Sequence, residues 1–113
     1  MHNINYEILV VDNNSEDGSV EKIRENYPRV ILSINETKYG FAKNNNINLR
    51  KASGRYLMLL NDDTLVLPNG LENAVDYLDQ NPEVVVTGCT LIDPDGSFQI
   101  GSARKFRTLS SII

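Results

Sequence analysis

Apolar and polar positions follow two different periods along this chain. The run EILVVD at 7–12 is short and continuous and predicts a buried strand. NNSEDG at 13–18 follows it with side chains that tolerate tight or left-handed backbone. Val20, Ile23 and Tyr27 then fall at helical spacing, so 19–27 reads as a helix stopped by Pro28. A second strand is predicted at 30–34, a loop at 35–40 and a helix at 41–52. That helix is unusual, because Asn44, Asn45, Asn46 and Asn48 sit within five positions. Asparagine is a mediocre helix former, since its amide competes for backbone hydrogen bonds. Either the segment is kept for something other than helix stability, or it is a polar face turned to solvent. YLMLL at 56–60 predicts a third strand, which ends in Asn61, Asp62, Asp63 and Thr64. Pro68 stands where a first helical turn accepts proline. Leu71, Ala74, Val75 and Leu78 mark an amphipathic helix that stops near Pro82. A fourth strand at 84–92 contains Cys89, and DPDG at 93–96 is a turn signal leading to a short hairpin strand at 97–100. The assignment of the remaining tail is open.

This order, β-α-β-α-β-α-β and then a hairpin, predicts an α/β fold with a mainly parallel sheet between helical layers. Ligands of such sheets bind beyond the carboxyl ends of the strands. Two strands end there in acidic clusters, Asp12 and Asn61-Asp62-Asp63. Crowded carboxylates repel one another unless a proton or cation compensates. Mg²⁺ or Mn²⁺ suits oxygen ligands and uses one or two protein carboxylates with substrate phosphates. Asp62 and Asp63 are adjacent, so on extended backbone they point to opposite sides and do not easily grip one ion. A simple loop leading into a helix accounts for the same residues.

Composition narrows the choice. The 113 residues suit one domain, and 41% hydrophobic with 23% charged residues is ordinary for a globular chain. A net charge of -4 argues against a nucleic-acid partner. The basic residues Arg104, Lys105 and Arg107 near the C-terminus suit an anionic ligand, a membrane surface or a solvated tail. The single cysteine permits no intramolecular disulfide, and no apolar run approaches the roughly 20 residues of a membrane span. A cytoplasmic location is expected, with peripheral attachment to the inner face of a membrane compatible with it. His2 is the sole histidine, so a Ser-His-Asp triad or a histidine metal cluster is not expected. Cys89 reads as a core residue. Neither a Walker A sequence nor GxGxxG occurs. Lys38-Tyr39-Gly40-Phe41 offers flexibility and an aromatic ring to a nucleotide pocket, or a loop anchored by phenylalanine.

Four motifs in order resemble family 2 glycosyltransferases. VVDNNSEDGS from Val10 to Ser19 resembles the family's VVDNNSxDGS segment, and GFAKNNN from Gly40 to Asn46 resembles GFAxANN. LLNDDT from Leu59 to Thr64 resembles the local form of the DXD motif. Residues 88–97 and the stretch Arg104 to Thr108 resemble a later strand, hairpin and basic segment of the rhamnosyltransferase-like branch. The resemblance covers nearly the whole chain. It implies a GT-A (nucleotide-diphospho-sugar transferase) fold and sugar transfer from a nucleoside-diphosphate-sugar donor to an acceptor hydroxyl with inversion, in polysaccharide biosynthesis. By position, Asp12 would hydrogen-bond the nucleobase, with Asn13, Asn14 and Asp17 shaping its pocket. Asn45 would line the base and ribose side. Asp63 would bind Mg²⁺ or Mn²⁺ at the diphosphate, with Asn61 and Asp62 in the first and middle positions of the DXD motif. Asn61 departs from strict DXD and lowers the site's charge. Asn44 replaces the usual alanine, which is expected to alter helix packing.

Family members also carry a strand of the type SVVIPTYN ahead of the segment that begins here at Tyr6, and a catalytic carboxylate beyond the point where this chain stops. Neither has a match here, so residues 1–113 are expected to form a single incomplete GT-A nucleotide-sugar-binding domain, with no assignable catalytic base. The strand's place lies between 7–12 and 56–60. Direct pairing of those two strands, folding back of 1–6, or a strand from another copy would fill it, and a homo-oligomer is expected. Direct pairing would bring the donor-site carboxylates closer together. The acceptor would be a glycan or a lipid-linked group in the complete enzyme. Two other readings stay open. One is a catalytically inactive nucleotide or nucleotide-sugar binder. The other is a nucleotidyltransferase-like enzyme, although that class would want a Gly-rich, basic loop after its first strand.

Overall fold

Residues 4–99 are described in a computed structural model of the protein. His2, Ile100 and the basic stretch with Arg104, Lys105 and Arg107 lie outside the described residues. The chain divides after Leu65 into two compact units.

In the unit up to Leu65, strand β1 (Leu9–Asp12) pairs in parallel with β2 (Ile31–Ile34), Leu9 opposite Ile31 and Asp12 opposite Ile34. The pairing continues past both ends. Ile31 N–H donates to the Ile8 carbonyl at 2.9 Å and Asn35 N–H to the Asp12 carbonyl at 3.0 Å. The crossover between the strands is helix α1 (Ser19–Asn26), and α2 (Phe41–Leu49) follows β2. These four elements match the expected ones to within a few residues. Pro28 ends α1 as the sequence predicts, because proline disfavours helical backbone in the residue before it.

The seam between α2 and the sheet is polar. Asn44, Asn48 and Lys51 follow one another at i, i+4 and i+7, so they share one helix face. That face meets Ser33 and Asn35, alternate residues at the end of β2 that are 7% exposed each. Ser33 Oγ donates to Asn48 Oδ1 at 2.9 Å and accepts from Lys51 Nζ at 2.7 Å. Asn35 Nδ2 donates to Asn44 Oδ1 at 2.9 Å. Burying polar atoms is tolerable when each finds a partner, and among the described residues no buried side-chain nitrogen or oxygen lacks one. Two of the four asparagines therefore face the sheet rather than solvent, the first of the two alternatives the sequence left open. At the lower edge of α2, Glu7 accepts from Ser53 N–H at 2.7 Å and Ser53 Oγ at 2.9 Å, which ties the lead into β1 to the end of the helix.

The third predicted strand is not formed. Residues 56–60 belong to no sheet among the described residues, and Leu57, Met58, Leu59 and Leu60 are about half exposed. The reason is physical: an apolar run states a preference for burial, but a strand exists only where a neighbour supplies its ladder. Direct pairing of this run with β1 does not occur, since among the described residues β1 pairs with β2 alone.

In the second unit, α3 (Gly70–Gln80) is the amphipathic helix the sequence predicts. Pro68 sits ahead of it rather than in its first turn. Gly70 N–H donates to the Leu67 carbonyl at 3.0 Å, and Asn69 has φ 62°, so Pro68 and Asn69 are the central pair of a tight turn. Proline presets the first of those positions, and asparagine tolerates the left-handed second. The predicted strand at 84–92 is likewise absent apart from one antiparallel bridge, Ile92 to Phe98. The 93–96 turn closes that bridge as expected, with Gly96 N–H on the Asp93 carbonyl at 2.8 Å.

Candidate functional site

The carboxyl end of β1 delivers Asp12 into a loop that turns sharply at Asn14, whose φ of 60° is left-handed, and again at Gly18, φ 80°. Asp12 is 6% exposed, and its Oδ2 accepts from Ser15 N–H at 3.1 Å. The buried carboxylate thus braces the loop's first turn. At the far end Asp17 accepts from Ser19 N–H at 3.0 Å and Ser19 Oγ at 2.5 Å. The Ser19 hydroxyl first, then its amide, holds the Asp17 carboxyl below its ordinary value. Asp17 therefore supplies an acceptor to an N–H at the start of α1 that the helix itself cannot satisfy.

Between these anchors lies a shallow recess of about 590 Å³, lined by Asn13, Asn14, Ser15, Glu16, Asp17 and Lys38. Three of the expected donor-site residues, Asn13, Asn14 and Asp17, are gathered there. Asp12 precedes the recess in the chain and supports it. Asn45 is not among the lining residues: it sits in α2 with Nδ2 on the Phe41 carbonyl at 3.0 Å. Asn61, Asp62 and Asp63 form an exposed turn, in which Thr64 Oγ donates to the Asn61 carbonyl at 2.6 Å. They do not line the recess either, and among the described residues no three His, Cys, Asp or Glu side chains come together as a metal cluster. The exposed carboxylate of Asp63 has the oxygen chemistry of a ligand to a hard divalent ion, which would draw most of its other ligands from phosphate oxygens and water.

Ser15 and Glu16 line the recess without having been singled out from the sequence as binding residues, and Lys38 brings in the first residue of the Lys38–Phe41 segment considered for a nucleotide pocket. Lys38 comes from the loop after β2, brought over by Asn13. The Asn13 side-chain amide pairs with the Tyr39 peptide as a strand would, Nδ2 donating to the Tyr39 carbonyl at 3.0 Å and Oδ1 accepting Tyr39 N–H at 2.8 Å. The Tyr39 ring carries Lys43 Nζ 3.3 Å from its centroid. A hydrogen bond from Thr37 and then the Lys43 charge lower the Tyr39 phenol from its ordinary value. Asn35 was also missed. The signal available was its place, a polar residue ending an apolar strand at the same sheet edge as Asp12. Cys89, expected in a core, is exposed.

No helix among the described residues is long and apolar enough to cross a membrane. The chain matches the family described as glycosyl transferase family 2 over residues 2–112. It is 30% identical over 80 residues to an uncharacterized glycosyltransferase of Haemophilus influenzae, covering 71% of this chain and 27% of that protein. It is 33% identical over 97 residues to the O-antigen biosynthesis protein RfbC of Myxococcus xanthus, covering 83% and 8%. With the Escherichia coli UDP-Glc:alpha-D-GlcNAc-diphosphoundecaprenol beta-1,3-glucosyltransferase WfgD it shares 35% over 78 residues, covering 68% and 31%. The chain thus spans less than a third of each of these relatives. No solved structure matches it significantly. With a match that runs nearly end to end, the chain belongs to glycosyl transferase family 2, an enzyme family, and its α/β order is a part of the GT-A fold.

Proposed function

We propose that this chain is the donor-binding part of a glycosyltransferase that moves a sugar from a nucleoside diphosphate to an acceptor hydroxyl with inversion. The observation that carries the reading is the recess at the carboxyl end of β1, where Asn13, Asn14 and Asp17 meet Lys38. Amide side chains present both donors and acceptors to a base and ribose, and Lys38 offers a cation to an anionic ligand. Asp12 shapes the base pocket through the loop it braces. Asn45, on α2, contributes to the ribose side, and Asn61 and Asp62 form the turn that faces the diphosphate. Asp63 holds Mg²⁺ or Mn²⁺ there. The acceptor is a glycan or a lipid-linked sugar, in keeping with the undecaprenol-linked substrate in the name of the WfgD relative. The complete enzyme works at the cytoplasmic side of a membrane and as a homo-oligomer.

The test is calorimetric titration of the chain with UDP, dTDP and GDP, with Mn²⁺ and with EDTA. Binding of one of them in the micromolar to millimolar range, weakened by EDTA, is expected. Asp63→Ala should weaken it far more than Asp62→Ala. Equal losses in the two variants, or binding indifferent to EDTA, would count against the metal assignment. Absence of binding to all three would count against the donor site itself.

A further inference from the structure

We infer that Asn13, Asn35 and Asn44 form a three-asparagine latch that fixes the Tyr39 peptide, and that they are positioning residues for Lys38 at the recess. This rests on the donor-site reading for its functional consequence, but the latch is a feature of the fold in its own right. The three residues come from three elements: the end of β1, the end of β2 and the first turns of α2. Asn13 holds both the N–H and the carbonyl of Tyr39, at 2.8 and 3.0 Å. Asn35, 7% exposed, uses its Nδ2 for two bonds, to Asn13 Oδ1 at 3.2 Å and to Asn44 Oδ1 at 2.9 Å. Asn44 closes the set, its Nδ2 donating to the Tyr39 carbonyl at 3.3 Å.

Asn13 and Asn44 thereby use both ends of their amides, and the Asn35 Nδ2 ties the two together. An amide with both ends engaged has its orientation fixed, and the two bonds from Asn35 Nδ2 close a ring through Asn13, the Tyr39 carbonyl and Asn44. Lys38 is the residue bonded to the clamped peptide, so the latch sets where its backbone meets the recess. Asn44 is the informative member, because it stands where the family resemblance places alanine. Alanine is also the better helix former, so an asparagine kept only as helix surface would gain from the exchange.

The experiment is amide hydrogen exchange by NMR on the whole chain, with nucleoside diphosphate titrations alongside. Tyr39 N–H should be protected in the parent chain. Asn44→Ala should speed its exchange about fivefold or more, the order expected when one supporting hydrogen bond is lost, while the α2 amides stay protected. Asn13→Ala should abolish the protection. Asn46→Ala, on the exposed side of α2, should leave Tyr39 unchanged. Unaltered Tyr39 exchange in Asn44→Ala would overturn the latch. Faster exchange with unchanged affinity for a bound nucleoside diphosphate would overturn its positioning role. If no nucleoside diphosphate binds the parent chain, the donor-site reading fails, while the exchange data still decide the latch.

Discussion

The sequence Asp-Gly-Ser occurs twice, at 17–19 and 95–97, and does the same local work both times. Gly18 and Gly96 have φ of 80° and 85°, and the aspartate before each accepts both the amide and the hydroxyl of the serine after it. One copy opens α1 and the other turns the chain between Ile92 and Phe98. A left-handed glycine lets the chain bend back so that a short carboxylate reaches the residue two ahead. The bonds stabilise the ionised form, so each aspartate stays charged to lower pH than its ordinary 3.8. The folded chain therefore binds fewer protons than the unfolded one across that interval. The contribution is fully present above about pH 4 and is lost as pH falls through the lowered values. In Ser19→Ala the Asp17 carboxyl should titrate closer to 3.8, as followed by carbon NMR, while Asp95 keeps its midpoint. An unmoved Asp17 midpoint would show that the serine does not set it. These turns were legible because Asp, Gly and Ser announce their geometry locally. The role of Asn35 was not, and Lys38 was legible only as part of a loop segment, because both depend on which loops the sheet brings side by side.

Helix α2 shows what a run of residues can and cannot reveal. Its existence was readable despite four asparagines, and its oddness pointed to a purpose. The division of labour among those asparagines needed β2 in place. Asn46 is exposed, whereas Asn48 accepts from the buried Ser33 hydroxyl. The two should therefore respond oppositely to alanine. Asn46→Ala should gain about 0.5 kcal/mol from helix propensity. Asn48→Ala should lose about 1 kcal/mol net, because a buried hydroxyl loses its acceptor. Urea midpoints would read this directly, and a stabilised Asn48→Ala would mean that the polar seam contributes nothing. The helices and the β1–β2 pair were predictable since their signals lie within a few residues. The runs at 56–60 and 84–92 carry equally strong strand composition, yet among the described residues they remain outside any sheet, because ladder partners are chosen over long sequence separations.

At the scale of the molecule, the three buried side chains among the described residues, Asp12, Ser33 and Asn35, are all polar, and no apolar side chain there is buried. Hydrophobic burial is the main favourable term in folding, so this distribution leaves stabilisation unclaimed. In the first unit, Leu57 and Leu59 are 53% and 55% exposed, and among the described residues β1 has a strand partner on one side only. In the second, Val85 and Val86 are 91% and 84% exposed. An unpaired edge with apolar neighbours is a template for another strand, and contiguous apolar surface favours association. Covering a leucine that is now half open recovers about 1 kcal/mol, roughly half the value of burying one fully. Four such residues, Leu57 to Leu60, covered together would recover about 4 kcal/mol, a large share of a marginal folding free energy of about 5–15 kcal/mol. The chain should therefore exceed its 12.7 kDa monomer mass in light scattering at tens of micromolar. Leu57→Lys with Leu59→Lys, which places charge on alternate residues of the apolar run, should shift it toward monomer and reduce binding of a hydrophobic dye. A parent chain that stays monomeric with little dye binding would refute association through this run, and a parent that associates equally well with both lysines in place would move the contact elsewhere.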